Sequence, residues 1–196
     1  MRVGILALQG DVREHAAVVR RLGAEVVEIR SRASFSGVDA LILPGGESTT
    51  MGLLLDKSGL RPAVEEWTRS QRPTLGTCAG LVLLANEVED GRPDQHPIGG
   101  LDVVVRRNGH GRQRYSFETS VGCDELGSPF DAVFIRAPRI TSVGRDVDVL
   151  GRLEGEDFEP VIVSQGGLIG CAFHPELAGD DRLHGLLLER AEAALA

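Results

Sequence analysis

Two short and almost continuous apolar runs, Arg2–Gln9 and Val38–Pro44, constrain the fold of this chain more than any other feature. Runs of this length without polar alternation are typical of strands that are buried on both faces of a parallel sheet. The stretch between them, Asp11–Gly23, has apolar residues at helical spacing and ends at a glycine, which is a common stop signal for a helix. This alternation predicts an α/β fold with a doubly wound sheet.

The second half of the chain is dominated by strand and turn patterns. Several strand candidates lie between Leu101 and Phe173, and we expect some of them to pair antiparallel at an edge of the sheet. The closing stretch, Asp181–Ala196, predicts a helix. Its leucines fall on or near one stripe: Leu183, Leu186, Leu187 and Leu195. Because no linker or repeat separates the halves, we expect residues 1–196 to form a single domain with a mostly parallel centre, antiparallel edge strands and helices on both faces.

Charge and cysteine usage argue against several classes of function. The formal net charge of −8 disfavours nucleic acid or an anionic membrane as the main partner. No segment has the roughly 18 consecutive apolar residues that a membrane span requires, and the first apolar run lacks the cleavage site of a signal peptide. Cys78, Cys123 and Cys171 are widely spaced and form no CxxC pair. A disulfide framework or zinc site is therefore not expected, and a reducing cytoplasm fits this pattern.

Cys78 stands in the sequence GTCAG, residues 76–80, where a strand candidate meets a helix candidate. This matches a nucleophile elbow with cysteine in place of serine. In such a turn the helix N-terminus favours the thiolate and offers backbone N–H groups to a developing oxyanion. The alternative is a buried core cysteine, because free cysteine is among the most buried residue types. The strand–turn–helix context favours the nucleophile.

A thiol nucleophile needs a base, and His174 is the strongest candidate among the histidines. It directly follows the apolar run Leu168–Phe173 and precedes Pro175 and Glu176. We therefore expect the imidazole at the rim of the sheet, with a carboxylate two residues away that holds one ring nitrogen. The alternative is a plain helix N-terminus with proline in its first turn. The remaining histidines are expected in solvent, for His96 and His184, or at the surface or an interface, for His15.

The segment Leu41–Gly52 predicts a strand that ends at Pro44, then a turn of two glycines, and then a helix capped by Ser48 or Thr49. The glycines permit a backbone turn whose N–H groups point inward. If this turn lies at the same sheet edge as the elbow, it can supply a second oxyanion donor. The alternative is an ordinary connection between a strand and a helix.

Arginines are clustered in one part of this otherwise acidic chain. Guanidinium groups bind carboxylates bidentately, so the cluster is a candidate site for a small carboxylate ligand. The alternative is a solvated, charged face. The residues concerned are Arg106, Arg107, Arg112 and Arg114, with Arg136 as a second candidate at the end of a later strand.

Three motifs in this order, PGGEST, GTCAG and HPE, resemble those of class I, triad-type glutamine amidotransferases. Longer segments, among them LALQGDVREH, RNGHGRQRYSFE and VFIRAP, look like those of the glutaminase subunits of pyridoxal 5'-phosphate synthase complexes. The resemblance covers nearly the whole chain. It implies hydrolysis of L-glutamine to L-glutamate and ammonia through a cysteine thioester. It also implies delivery of the ammonia to a synthase subunit that makes pyridoxal 5'-phosphate, a form of vitamin B6.

The resemblance implies a role for individual residues where they match the family's motifs. Cys78 would be the nucleophile, His174 the general base and acid, and Glu176 the residue that orients His174. Gly46 and Ala79 would supply the oxyanion-hole N–H groups. The glutamine pocket would be lined by Gly46, Glu47, Ser48, Arg107, Ile135 and Arg136. The family also implies that no metal or organic cofactor is needed, and that activity depends on docking to the synthase near Gln9 and the residues after it.

One position departs from the family's pattern. His110 stands before GRQ, where the family usually has a bulky apolar residue, and this bears on the packing or the partner contacts of that loop. Two other functions stay open from the sequence. One is an amidotransferase subunit that serves a different synthase, and the other is a catalytically silent binding subunit, which the intact Cys78, His174 and Glu176 disfavour.

Overall fold

The computed structural model describes residues 1–91, 96–107, 109, 116–127, 129–153 and 159–196. His110, Arg112 and Arg114, which the sequence singled out, lie outside the described residues. The described helices are α1 (Val12–Arg21), α2 (Ser48–Ser58), α3 (Arg61–Arg69), α4 (Ala79–Leu84) and α5 (Arg182–Leu195). None of the described helices is long and apolar enough to cross a bilayer.

A seven-stranded sheet forms the centre of the molecule. Its strands are β1 (Arg2–Leu6), β2 (Glu25–Ile29), β3 (Ala40–Leu43), β4 (Thr74–Thr77), β10 (Asp148–Arg152), β11 (Pro160–Gln165) and β12 (Leu168–Cys171). They are ordered β10-β11-β12-β4-β3-β1-β2. Pairing is parallel from β2 through to β12 and antiparallel from β12 to β10. The expected parallel centre with antiparallel edge strands is therefore confirmed.

The remaining described strands form two smaller sheets instead of extending the central one. The strands are β5 (Ala85–Val88), β6 (Leu101–Arg106), β7 (Phe117–Val121), β8 (Phe130–Phe134) and β9 (Arg139–Val143). One small sheet has the order β5-β6-β9, and the other pairs β7 with β8 antiparallel. The sequence did not predict β5, β9 or β10. In β9 and β10 only one residue each is fully buried, so neither strand carries a clear apolar alternation.

Helices cover both faces of the central sheet, as a comparison of two neighbouring residues in β4 shows. Thr77 contacts His15 of α1, which in turn contacts His184 of α5. A Cβ added to Gly76 would meet Leu84 of α4. Because successive residues of a strand point to opposite faces, α4 lies on the face opposite α1 and α5.

The closing helix differs from the sequence prediction at two positions. Leu183, Leu186 and Leu187 are buried as expected, but Leu195 is 66% exposed because it lies in the last turn, at the end of the chain. The prediction of a solvent-exposed His184 is wrong, since its ring is buried between α5 and α1. His15, whose place the sequence left open, is buried as well. His96 is exposed, as expected.

Candidate active site

Cys78 lies at the carboxyl end of β4, immediately before the first residue of α4. Its φ of 48° and ψ of −101° are rare for a residue with a side chain, so the turn is strained. The backbone N–H of Cys78 donates to the carbonyl of Cys171 at 2.9 Å, which fixes the turn to the neighbouring strand. The Sγ atom lies 3.9 Å from the carbonyl oxygen of Ile135. The strand–turn–helix geometry of a nucleophile elbow is therefore present.

Gly80 is the residue that lets α4 begin so close to the sheet. A Cβ at this position would collide with the carbonyl oxygen of Leu43, at the end of β3. A glycine is consequently required for the N-terminus of α4 to reach the carboxyl edge of both β3 and β4. This close approach sets the position of Cys78 relative to the turn that follows β3.

His174 reaches the same edge from the neighbouring strand. Cys171 is in register with Thr77, so the residues that follow β12 emerge beside Cys78. The backbone N–H of His174 donates to the carbonyl of Val133 at 2.9 Å. The 3₁₀ turn Pro175–Leu177 then folds the chain back, and the Nδ1 of His174 lies 2.8 Å from the Oε1 of Glu176. The expected contact between the imidazole and this carboxylate is confirmed.

Asp11 is a site residue that the sequence reasoning missed. Its Oδ2 lies 3.2 Å from the Nδ1 of His174, so two carboxylates flank the same ring nitrogen. Asp11 is the N-cap of α1, and its backbone N–H donates to the carbonyl of Gly45 at 3.2 Å. Its position a few residues after the first strand, at the carboxyl edge of the sheet, was the one signal that the sequence offered. Asp11, His174 and Glu176 also offer three potential metal-ligand atoms within 4.8 Å of one another.

The electrostatic environment favours a protonated His174. Burial alone would lower the pKa of His174, but hydrogen bonds with Asp11, Cys78 and Glu176 raise it to about 12. The hydrogen bond with His174 lowers the pKa of Asp11 against the opposing effect of burial. Burial raises the pKa of Glu176, and the bond to His174 works against that increase. The site is thus built to hold an imidazolium beside the sulfur of Cys78.

A small cleft opens next to the sulfur. It encloses about 100 Å³, a size that suits a small metabolite better than a drug-sized ligand. Every residue predicted for the oxyanion hole and for the glutamine pocket lines it: Gly46, Glu47, Ser48, Ala79, Arg107, Ile135 and Arg136. Gly46 has a φ of 150°, and Gln9 accepts a hydrogen bond from the N–H of Glu47 at 2.9 Å, so the glycine turn is held from the side of β1.

Glu47 has two contacts that the sequence did not predict. It is the N-cap of α2, where its Oε2 accepts from the N–H of Thr50 at 2.7 Å. The prediction that Ser48 or Thr49 caps this helix is therefore wrong, because the side chain of Glu47 accepts the hydrogen bond from the N–H in the first turn. Its Oε1 lies 2.8 Å from a guanidinium nitrogen of Arg107. Burial would raise the pKa of Glu47, but hydrogen bonds from Thr50 and Thr49 and the charge of Arg107 together lower it.

The predicted arginine cluster divides between two places. Arg107 and Arg136 line the cleft, whereas Arg106 pairs with Glu89 at 2.7 Å on an exposed face. For Arg106 the alternative of a solvated, charged face is therefore correct. Arg136 has a φ of 47°, a second strained residue beside Cys78. Backbone strain of this kind is concentrated at functional sites. The two strained residues here, Cys78 and Arg136, line the same cleft.

Comparison with known proteins agrees with this geometry. The sequence profile of the SNO glutamine amidotransferase family matches residues 5–193. The chain belongs to this family. The pyridoxal 5'-phosphate synthase subunit PdxT of Frankia alni is 52% identical over 189 residues, which are 96% of this chain and 94% of that protein. The protein of the same name from Parafrankia sp. is 49% identical over 195 residues, which are 99% of this chain and 95% of that protein.

Solved structures of a glutamine amidotransferase and of a more distant protein share the fold. A crystal structure of a glutamine amidotransferase matches with a TM-score of 0.89 and 44% identity, over 97% of this chain and 98% of that one. The structure of PurLQS from Thermotoga maritima matches with a TM-score of 0.69 over 100% of this chain and 98% of that one. Its identity of 14% supports the fold alone. The expected class I glutamine amidotransferase-like fold is therefore confirmed.

Proposed function

We propose that this chain is the glutaminase subunit of a pyridoxal 5'-phosphate synthase, which hydrolyses L-glutamine to L-glutamate and ammonia. The observation that carries the proposal is the placement of Cys78 and the buried His174 at the adjacent carboxyl ends of β4 and β12, with the Nδ1 of His174 2.8 Å from the Glu176 carboxylate. This is the arrangement of nucleophile, base and orienting acid that amide cleavage requires. Family membership and the names of the relatives support the choice of substrate and of pathway.

In the first step, the Cys78 thiolate attacks the side-chain carboxamide carbon of glutamine. A C–S bond forms, and the carbonyl oxygen becomes an oxyanion. The backbone N–H groups of Gly46 and Ala79 are proposed to bind this oxyanion, because both residues line the cleft at the sulfur. Removing one such donor typically costs about 3 kcal/mol of transition-state stabilisation.

In the second step, the protonated His174 gives its proton to the amide nitrogen. The C–N bond breaks, ammonia leaves, and a thioester to Cys78 is formed. His174 then removes a proton from water, and the resulting hydroxide attacks the thioester carbon. Glutamate is released and the thiolate is restored next to an imidazolium. Glu176 holds Nδ1 throughout, so that the other ring nitrogen faces the reacting atoms.

The charges of the cleft suit the α-amino and α-carboxylate groups of glutamine. Glu47 can accept hydrogen bonds from an ammonium group, and the guanidinium groups of Arg107 and Arg136 can pair with a carboxylate. Glu47 and Arg107 are already joined at 2.8 Å, which fixes the direction of both side chains before the substrate binds. Ser48 and Ile135 complete the proposed pocket.

We also propose a cytoplasmic protein of one domain that docks to a synthase subunit near Gln9 and needs no cofactor for the hydrolysis. All three cysteines are free, which is common in a reducing compartment. The family match spans residues 5–193, which supports one domain. Docking near Gln9 would act on the glycine turn directly, because Gln9 holds the N–H of Glu47.

The test is the release of ammonia from glutamine by the chain mixed with a pyridoxal 5'-phosphate synthase subunit. We expect Cys78→Ala to abolish turnover and to retain glutamine binding, as measured by calorimetry. Cys123→Ala is the matched control, because Cys123 is also buried but does not line the cleft. Full turnover by Cys78→Ala would refute the mechanism. Activity only with a synthase of another pathway would favour that other assignment.

A further inference from the structure

Two histidines that the proposed reaction does not use lie directly beneath the triad. His15 of α1 and His184 of α5 are both buried, at 0% and 1% exposure. The Nδ1 of His15 lies 2.9 Å from the Nε2 of His184. Burying polar rings costs free energy unless their nitrogens are partnered. The surroundings of the other two ring nitrogens, the Nε2 of His15 and the Nδ1 of His184, therefore indicate the role of the pair.

The second ring nitrogen of His15, Nε2, lies close to the start of the nucleophile turn and to the orienting carboxylate. Its Nε2 lies 3.2 Å from the Oγ1 of Thr77, the residue before Cys78. The same Nε2 lies 3.5 Å from the Oε2 of Glu176, the carboxylate oxygen that His174 does not use. That oxygen is buried, and no described residue donates a hydrogen bond of good geometry to it. The Nε2 of His15 thus lies close to a buried carboxylate oxygen that lacks a hydrogen bond from the described residues.

The positions of the ring protons follow from the surroundings of the pair. Burial lowers the pKa of His15 well below its usual value, and the neighbouring His184 and His174 lower it further. Burial lowers the pKa of His184 to about 4, where Asp181 opposes the shift and Arg21 adds to it. Both rings are therefore neutral at pH 7, and each carries one N–H.

The better satisfied pair of tautomers places a donor on His15 Nε2. The Nδ1 of His184 is buried without a partner among the described residues. A buried acceptor without a partner is tolerated more often than a buried N–H without one, so the hydrogen of His184 is on Nε2. It is donated to the Nδ1 of His15, and the hydrogen of His15 is then on Nε2, facing Thr77 and Glu176.

We propose that His15 is a positioning residue for the triad, whose Nε2–H, held in that tautomer by His184, fixes the second carboxylate oxygen of Glu176 together with Thr77 at the start of the nucleophile turn. The inference rests on the proposed glutaminase function. His15 touches neither the substrate nor the reacting atoms in this proposal, and it acts through the groups that do.

A neutral donor suits this place better than a charged one. A cationic His15 would repel the protonated His174, whereas a neutral N–H stabilises the Glu176 carboxylate without that repulsion. Without the N–H, the buried carboxylate takes up a proton at higher pH and no longer accepts from His174. The acidic limb of the pH–activity profile should then move upward. Among the described residues, the titratable groups facing Glu176 are His174, Asp11, His15 and Cys171.

The experiment compares two replacements of His15 in the chain mixed with its synthase partner. His15→Leu removes both ring nitrogens, whereas His15→Gln keeps an amide N–H near the place of Nε2. We expect His15→Leu to lose roughly 10- to 100-fold in kcat, as misplaced catalytic groups do. Its acidic limb should move up by about one pH unit. His15→Gln should recover most of the activity and keep the limb of the unmodified protein.

A packing defect alone should not move the acidic limb. Leu187→Ala is the matched control, because Leu187 is fully buried on α5 one turn from His184. It should lower the midpoint of thermal unfolding and leave the limb in place. If His15→Leu does not fold, His15→Met replaces it, since its flexible side chain fills a similar volume and also lacks both ring nitrogens. His15→Met should show the same upward shift.

A second measurement needs neither turnover nor a partner. The rate of alkylation of Cys78 by iodoacetamide, followed by peptide mass spectrometry, reports on the thiolate and imidazolium as a function of pH. An unchanged limb in His15→Leu or His15→Met would overturn the inference, as would equal losses in His15→Leu and His15→Gln. If instead the unmodified chain releases no ammonia with the synthase, the proposed function fails, while the alkylation profile still decides the role of His15.

Discussion

The two carboxylates at the Nδ1 of His174 should differ in their contribution to catalysis, and the structure allows the difference to be ranked. Glu176 lies 2.8 Å from Nδ1 and its side chain is fully buried. Asp11 lies 3.2 Å from Nδ1 and its side chain is 35% exposed. A buried, charge-assisted hydrogen bond contributes about 1.5–3 kcal/mol, whereas solvent screens an exposed pair to about 1 kcal/mol or less.

These values convert directly into rates, because each 1.36 kcal/mol is about tenfold. Glu176→Gln keeps the shape of the side chain and removes its charge, so kcat/KM for glutamine should fall roughly 10- to 100-fold. Asp11→Asn should reduce it less than about fivefold. The double variant should lose more than the product of the two single losses, since each carboxylate holds the ring when the other is gone.

The assay is glutamate formation by the chain with its synthase partner, measured from pH 5 to pH 10 for the unmodified chain and the three variants. Equal or larger losses in Asp11→Asn than in Glu176→Gln would refute the ranking by distance and burial. Near-normal activity of Glu176→Gln would refute the orienting role of Glu176 itself, because the imidazole would then be held without this carboxylate.

Other features of the fold give further expected outcomes. Gly80→Ala should lower the free energy of unfolding by about 2–3 kcal/mol and impair glutaminase activity, because the new Cβ collides with the carbonyl of Leu43; urea unfolding measures the first effect. Gly185→Ala, at a helical position with open space around it, should instead be neutral or stabilising by up to about 1 kcal/mol. Because the pKa of His184 is lowered to about 4, the unfolded chain binds a proton that the native chain does not between pH 6.5 and pH 4. Stability should therefore fall by about 3 kcal/mol as the pH decreases through that window, and a slope that is the same in His184→Phe would contradict this account.

Much of the candidate site could be predicted from the sequence because its signals are local. The elbow at Cys78 and the His174–Glu176 pair are each contained within five consecutive residues, where backbone sterics determine the geometry. The parallel pairing of β4 with β12 then brings them together, since parallel strands end at the same edge. This step needs only the fold class.

The errors come from contacts between distant parts of the chain. His184 looked solvent-exposed because its own helix gave no reason to bury it, and its partner His15 is 169 residues away. Asp11 looked like an ordinary helix start, because its contact with His174 depends on how closely α1 approaches the turn after β12. The sequence placed the cap of α2 at Ser48 or Thr49 because serine and threonine are common N-caps. The cap is Glu47 instead, since its longer side chain accepts a hydrogen bond from the N–H of Thr50.

The strained backbone of Cys78 also bears on whether this chain could be an inert docking subunit. A residue held at a φ of 48° makes folding less favourable by about 1–3 kcal/mol. A subunit that served only as a scaffold would gain stability by relaxing that turn and would lose nothing. The backbone strain that is kept at Cys78 therefore argues for a catalytic subunit.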